Sequence, residues 1–207
     1  MIDGVNEDML RALLRDSPFN RHFYSVQISF SRFMTIILDY MNHDPAIFEK
    51  DYHSSTEKYQ ALSDVILSQV PQFQRDNDKW SRERQSQYVW NVLNGFRGAP
   101  LSLYNTKHDG HLNNCLIHDG LQRMTAICNA FTDPEFSFDT KLGVLTMGDV
   151  TSLMPGNRIP STIGIEVKIY TFDSHVEACQ HYIDINKGIS HSEDDIKRAE
   201  DWMRAQS

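Results

Sequence analysis

The sequence predicts an α+β domain: a small mixed sheet flanked by helices, preceded by a helical N-terminal annex. Three observations carry that expectation. Residues 163–172, IGIEVKIYTF, set Ile163, Ile165, Val167 and Ile169 on one side of an extended segment, the period-two pattern of a half-buried strand. Two short apolar runs, LSLY at 101–104 and CLIHD at 115–119, flank a polar turn and suggest a hairpin. Helical periodicity lies between and around these strands in an order that is not a regular βαβ repeat. With 207 residues, 40% of them hydrophobic and 11% aromatic, the chain can bury roughly 70% of its unfolded surface. Pervasive disorder is thereby excluded.

Taken in order, residues 5–15 place Val5, Met9, Leu10, Leu13 and Leu14 on one helical face. Residues 26–42 are expected to continue as helix, with Phe30, Phe33, Ile36, Ile37 and Tyr40 too dense for a surface face. A third amphipathic stretch, Ser55 to Leu67, carries Tyr59, Leu62 and Ile66, and its end reads equally as a strand running into Val70-Pro71. Residues 1–65 therefore form the expected annex and residues 66–207 the main domain. From Pro71 a polar loop, QFQRDNDKWSRERQ, feeds a helix from Ser81 to Leu93, with Ser81 as N-cap and Asn94-Gly95 as its stop. After the hairpin, GLQRMTAICNAF spaces Met124, Ile127, Cys128 and Phe131 as a helix, so Asp119-Gly120 falls at a strand-to-helix junction. Residues 133–162, rich in Gly, Pro, Ser, Thr and Asp, read as an irregular excursion with at most short strands. Beyond the 163–172 strand, Asp173 or Ser174 caps HVEACQHYIDIN, Gly188 stops it, and Ser190 or Ser192 opens the last helix.

The 28 acidic and 20 basic side chains leave a net charge of −8, unevenly spread. Residues 71–107 carry 6 basic and 3 acidic groups, a local excess that suits one anionic site better than a duplex footprint of many phosphates. No stretch reaches the roughly 18 to 20 apolar residues of a membrane span, and the acidic start is unlike a signal peptide, so a soluble intracellular protein is expected. Cys115, Cys128 and Cys179 have no CxxC spacing and sit in apolar segments, as buried free thiols do. His108 and His111 flank a flexible Asp-Gly turn and read as solvent-exposed rather than metal-bound.

Three clusters could carry chemistry. In Asp119-Gly120-Leu121-Gln122-Arg123, glycine permits a sharp turn into a helix whose first amides attract phosphate, Arg123 can grip two phosphate oxygens, and Asp119 can hold a metal-bound or protonated partner. By itself, Asp-Gly before a helix is also an ordinary turn. Phe73-Gln74-Arg75, with Lys79, Trp80, Arg82 and Arg84 beyond, supplies a second arginine and an amide for the same anion, or else a solvated loop. Ile185-Asn186-Lys187-Gly188 marks at least a helix end. His118, beside Asp119, could titrate near neutral pH, but strand alternation turns the two side chains apart.

In their order, PQFQR, a tryptophan, NGFRGAPLSLY, DGLQR and INKGISHSEDDIKRAE resemble the DGQQR-motif domain, the N-terminal half of GmrSD-type modification-dependent restriction enzymes, within the ParB and sulfiredoxin-like superfamily. The resemblance covers about residues 66–200. It implies a ParB-like fold and a pocket for a nucleoside triphosphate with Mg²⁺, in which Asp119, Gln122 and Arg123 are catalytic. Gln74, Arg75, Gly120, Asn186 and Lys187 would contact the nucleotide, and Asp119 would hold the Mg²⁺. It further implies NTP hydrolysis or phosphoryl transfer linked to DNA modification, restriction or phage–host conflict in a bacterial or phage-infected cell. Leu121 replaces the first Gln of the signature, and Asp184 stands where the family has Arg. The family's HNH nuclease half has no counterpart here, so DNA cleavage by this chain alone is not expected. Two other readings remain open. One is a catalytically inactive module that regulates or inhibits such a nuclease or modification system; the other is a DNA-binding accessory protein.

Overall fold

A computed structural model of the chain describes residues 23–30, 33, 66–74, 80–96, 98–107, 115–133, 135–157, 159–160, 162–187 and 193–206. Among these, the order of elements is mixed α+β. Four strands make the main sheet: β1 (Phe23–Ser29), β2 (Leu101–Asn105), β3 (Leu116–Asp119) and β6 (Gly164–Thr171). Their spatial order is β1-β6-β2-β3. β6 is antiparallel to β1 and parallel to β2, and β2 is antiparallel to β3.

The alternation legible in the sequence decides which way β6 faces. Ile165, Val167 and Ile169 are buried, and with Ile28, Leu101, Leu103 and Ile117 they make one apolar face. Two helices cover it. The first, α1 (Arg82–Leu93), contributes Val89 and Val92; the second, α2 (Leu121–Thr132), contributes Met124, Ile127 and Cys128. Each fully buried aliphatic side chain there contributes about 1.5–3 kcal/mol. Helix α1 begins where expected, with the Ser81 side chain accepting from the Arg84 amide, and ends at Asn94 with Gly95 at φ 89°.

The opposite face gathers a second cluster. Phe73, Tyr104 and Phe172 pack there with Ala178, Cys179, Tyr182 and Ile183 of α4 (His175–Asn186) and with Ala199 of α5 (Glu193–Ala205). Ser174 is the N-cap of α4, accepting from the Glu177 amide. Cys115, Cys128 and Cys179 are free and buried.

Two expectations need correction. The predicted 26–42 helix is overturned at its start, because Phe23–Ser29 is an edge strand paired with β6 along its length. Val26 and Ile28 alternate with Ser25, Gln27 and Ser29, and pairing with a central strand outweighs helical density further on. Residues 23–30 thus belong to the main sheet rather than to a separate annex, and Phe30 and Phe33 still lie buried in the first core. The expected helix at 5–15 and most of the segments 31–65 lie outside the described residues. The 133–162 excursion is more ordered than its composition suggests. It holds a hairpin of β4 (Ser137–Thr140) and β5 (Gly143–Thr146), followed by helix α3 (Met147–Leu153). Thr146 and Asp149 form a reciprocal capping box that starts α3, and Phe138 packs on Trp90 with ring centroids 5.4 Å apart. No helix among the described residues is long and apolar enough to cross a membrane.

Candidate functional site

At the end of β3 the chain must leave the sheet and enter α2 within one residue. Gly120 does this at φ 100°, in the left-handed region, as N-cap without a capping side chain. A Cβ at this position would lie 2.6 Å from Leu101 Cδ2 and 3.1 Å from Arg123 Nη2. Glycine is therefore required both by backbone angle and by space. The first amides of α2 have no intrahelical acceptor, as at any helix start, and carry the positive end of its dipole.

Asp119 stabilises this turn from both carboxylate oxygens. Oδ1 accepts the Gly120 N–H at 2.7 Å, and Oδ2 accepts from Arg123 Nη2 at 2.8 Å, one helical turn along. The same Nη2 donates to the Pro100 carbonyl at 3.1 Å, while Arg123 Nε is buried with no hydrogen-bond partner. Gln74 reaches the site from the loop after Pro71. Its Nε2 donates to the carbonyls of Ile117 and His118, at 2.8 and 2.6 Å, and so fastens that loop to β3. Gln122 Oε1 accepts the Trp80 N–H at 3.1 Å. The two glutamines thus hold residues 74 and 80 against the same turn.

These residues line one small open cleft: Gln74, Trp80, Asp119, Gly120, Leu121, Gln122, Arg123 and Tyr182. Five of the eight site residues expected from sequence meet here. Arg75 lies outside the described residues, as do His108, His111 and Lys79. Asn186 is buried and donates to the Tyr182 carbonyl, and Lys187 is paired with Glu200 of α5 at 3.2 Å. Neither lines the cleft. Arg82 pairs with Asp133 and stacks on Phe136, away from the cleft, and Arg84 lies 4.7 Å from the Trp80 ring centroid. Leu121 is buried in the first core and adds packing there. Asp184 accepts from Gln180 on the surface of α4. Tyr182 was not anticipated. It precedes Asn186 by one helical turn, which is the signal that could have found it.

Behind the cleft lies a buried imidazole pair. His118 Nε2 and His181 Nδ1 are 2.7 Å apart and the rings stack at 4.9 Å, among Tyr104, Tyr170 and Phe172. Burial first, and the neighbouring imidazole second, push the His118 pKa down to about 3. One shared proton satisfies the contact, and two imidazolium rings could not hold it. His118 therefore points into the second core and does not line the cleft; the bulge between Ser102 and Leu103 interrupts the alternation expected to turn His118 and Asp119 apart, and both oppose Ser102. On the other side of Arg123, burial pushes the Tyr88 hydroxyl up to about 12, with the guanidinium pulling the opposite way.

The charges that line the cleft cancel, because Asp119 and Arg123 form an ion pair. An anion gains most here if it brings its own cation to Asp119 and takes Arg123 in exchange. No group of three or more His, Cys, Asp or Glu residues among the described ones could hold a metal ion by itself. A resident metal does not fit that donor set. A Mg²⁺ carried by phosphates does fit, since such ions are commonly bound through one or two carboxylates plus phosphate oxygens and water. Comparison with family models, curated proteins and solved structures finds no match to this chain.

Proposed function

We propose that this chain is a ParB-like, DGQQR-type domain that binds a nucleoside triphosphate in the cleft and serves DNA modification, restriction or phage–host conflict. One observation carries the reading: the left-handed glycine at Gly120 brings the start of α2, Arg123, Gln122 and Gln74 to a single cleft. Those donors suit an anion that brings its own cation to Asp119. The phosphates lie against the first amides of α2 and Arg123, while Asp119 would hold the Mg²⁺, which supplies neutralising charge when bound. Gln122 fixes the Trp80 wall through its carbonyl, and Gln74 fixes the loop to β3. Hydrolysis on this scheme is attack of water on the terminal phosphorus, which breaks its bond to the bridging oxygen, releases the nucleoside diphosphate and inorganic phosphate, and gives up the water's proton to solvent; Arg123 would balance charge on the transferred group.

The test is a thermal-shift panel with ATP, GTP, CTP and their diphosphates, each with and without Mg²⁺, since a ligand of the folded state alone must raise the melting temperature. A shift of several degrees with at least one triphosphate is expected. A chain that no nucleotide stabilises rejects the proposal. The Asp119–Arg123 pair also favours a second reading, in which the signature survives as a structural clasp and the domain acts through a nuclease or modification-system partner. A folded chain with no nucleotide shift and no turnover supports that reading.

A further inference from the structure

We infer that Lys168 is a second cationic contact of this site, so that the ligand is a chain of at least two phosphate groups laid across the sheet from Arg123; the inference rests on the nucleotide reading above. Strand register carries it. Ser102 on β2 stands opposite Asp119 on β3, at a bulge that leaves His118 as the extra residue, and beside Lys168 on β6. Residues paired across a ladder project from the same face. Lys168, Ser102 and Asp119 are therefore a lateral row, one residue per strand. At a strand spacing of about 4.8 Å, Lys168 begins roughly 10 Å from Asp119. Its flexible four-carbon stem covers much of that span.

The surroundings leave the ammonium disposable. Lys168 Nζ rests 4.3 Å from the Phe23 ring centroid on the edge strand, a contact that a phosphate oxygen can replace. Glu166, its neighbour on the same face, is engaged by the Ser25 hydroxyl at 2.8 Å. The field of Asp119 reaches this strand: the Tyr170 hydroxyl is raised by burial first, then by Asp119 and then by Glu166. Because Arg123 already balances Asp119, an anion crossing the row meets Lys168 as added positive charge. A single phosphate held at Arg123 stays short of it, whereas a longer phosphate chain does not.

Titration of the full chain with inorganic phosphate, pyrophosphate and triphosphate, each with Mg²⁺, by calorimetry tests this. Wild type should bind more tightly as the chain lengthens. Lys168→Met, which keeps the apolar stem, should weaken triphosphate about tenfold, the size of one charge-assisted contact, and leave orthophosphate unchanged. Lys168→Arg should restore most of the loss, which a merely structural role would not predict. Wild type that binds triphosphate with Lys168→Met equally tight overturns this inference alone. Wild type that binds none of the three overturns the proposed function and the inference together.

Discussion

The two faces of the main sheet are made of different chemistry. One carries Ile165, Val167, Ile169, Leu101, Leu103 and Ile117, aliphatic side chains closed over by α1 and α2. The other carries Tyr104, His118, Tyr170 and Phe172, which meet His181 and Tyr182 of α4. The first face can only pack. The second packs through rings that keep polar atoms, and it is the face across which Lys168, Ser102 and Asp119 align. Stability should therefore be concentrated on the first face, with pH and ligand sensitivity on the second.

Adjacent residues of β2 make the sharpest test, because Leu103 points to the aliphatic face and Tyr104 to the aromatic one. Leu103→Ala should cost about 3 kcal/mol in urea unfolding through lost burial and a residual cavity. Tyr104→Phe removes only the hydroxyl contact to His175 Nδ1 at 3.1 Å and should cost about 1 kcal/mol or less. Equal losses would erase the proposed distinction. Next in size is the junction between the faces. Gly120→Ala should lower stability by about 2 kcal/mol, since alanine is strained at positive φ and its Cβ would press on Leu101 and Arg123. A variant with unchanged melting temperature would show that the turn has another low-energy form.

The imidazole pair gives the aromatic face its pH dependence. Unfolded His118 takes up a proton near pH 6.5, whereas the folded residue does so only near 3. Between those values acid binds the unfolded chain preferentially, so stability falls as pH drops, by on the order of 1 kcal/mol per pH unit. Above pH 6.5 this contribution is flat. His118→Phe should remove most of that slope in unfolding curves recorded from pH 7 to 4. An identical slope in the variant would assign the acid sensitivity to other groups.

The elements most legible in the sequence were those whose signals are local. Ser81 and Asn94-Gly95 delimit α1, the alternation of 163–172 gives β6, and Asp119-Gly120 marks the turn, because caps, period and glycine act within a few residues. The helix expected from residue 26 fails at its start because a seven-residue edge strand leads into residues of helical density, and its pairing with β6 is set by residues far along the chain. Helix α3 was missed because the composition of 133–162 masked the Thr146–Asp149 box. In the site, Gln74 lines the cleft as expected of a contact residue, but its bonds to the two β3 carbonyls are revealed by no local pattern. Lys168 was not singled out for the same reason: the row it forms with Ser102 and Asp119 exists only once register is fixed.

The smallest stability effect should come from the ion pair, and it separates chemistry from binding. The Asp119 side chain is 34% exposed and that of Arg123 16%, so solvent screens part of their attraction and Asp119→Asn should shift stability by no more than about 1 kcal/mol. The asparagine Oδ1 can still accept the Gly120 amide, which preserves the turn. What changes is charge. If Asp119 holds the nucleotide's Mg²⁺ or orients the attacking water, Asp119→Asn should abolish turnover while affinity stays within about tenfold, or roughly 1.4 kcal/mol. Arg123→Ala should instead weaken triphosphate binding by about 2 kcal/mol or more, because the phosphates lose a charged partner at the start of α2. Opposite signatures in the two variants, read from calorimetry and phosphate release, support a working site on the aromatic face. If both bind triphosphate as wild type does, the pair is a clasp for the strand-to-helix turn, and the interaction-module reading takes its place.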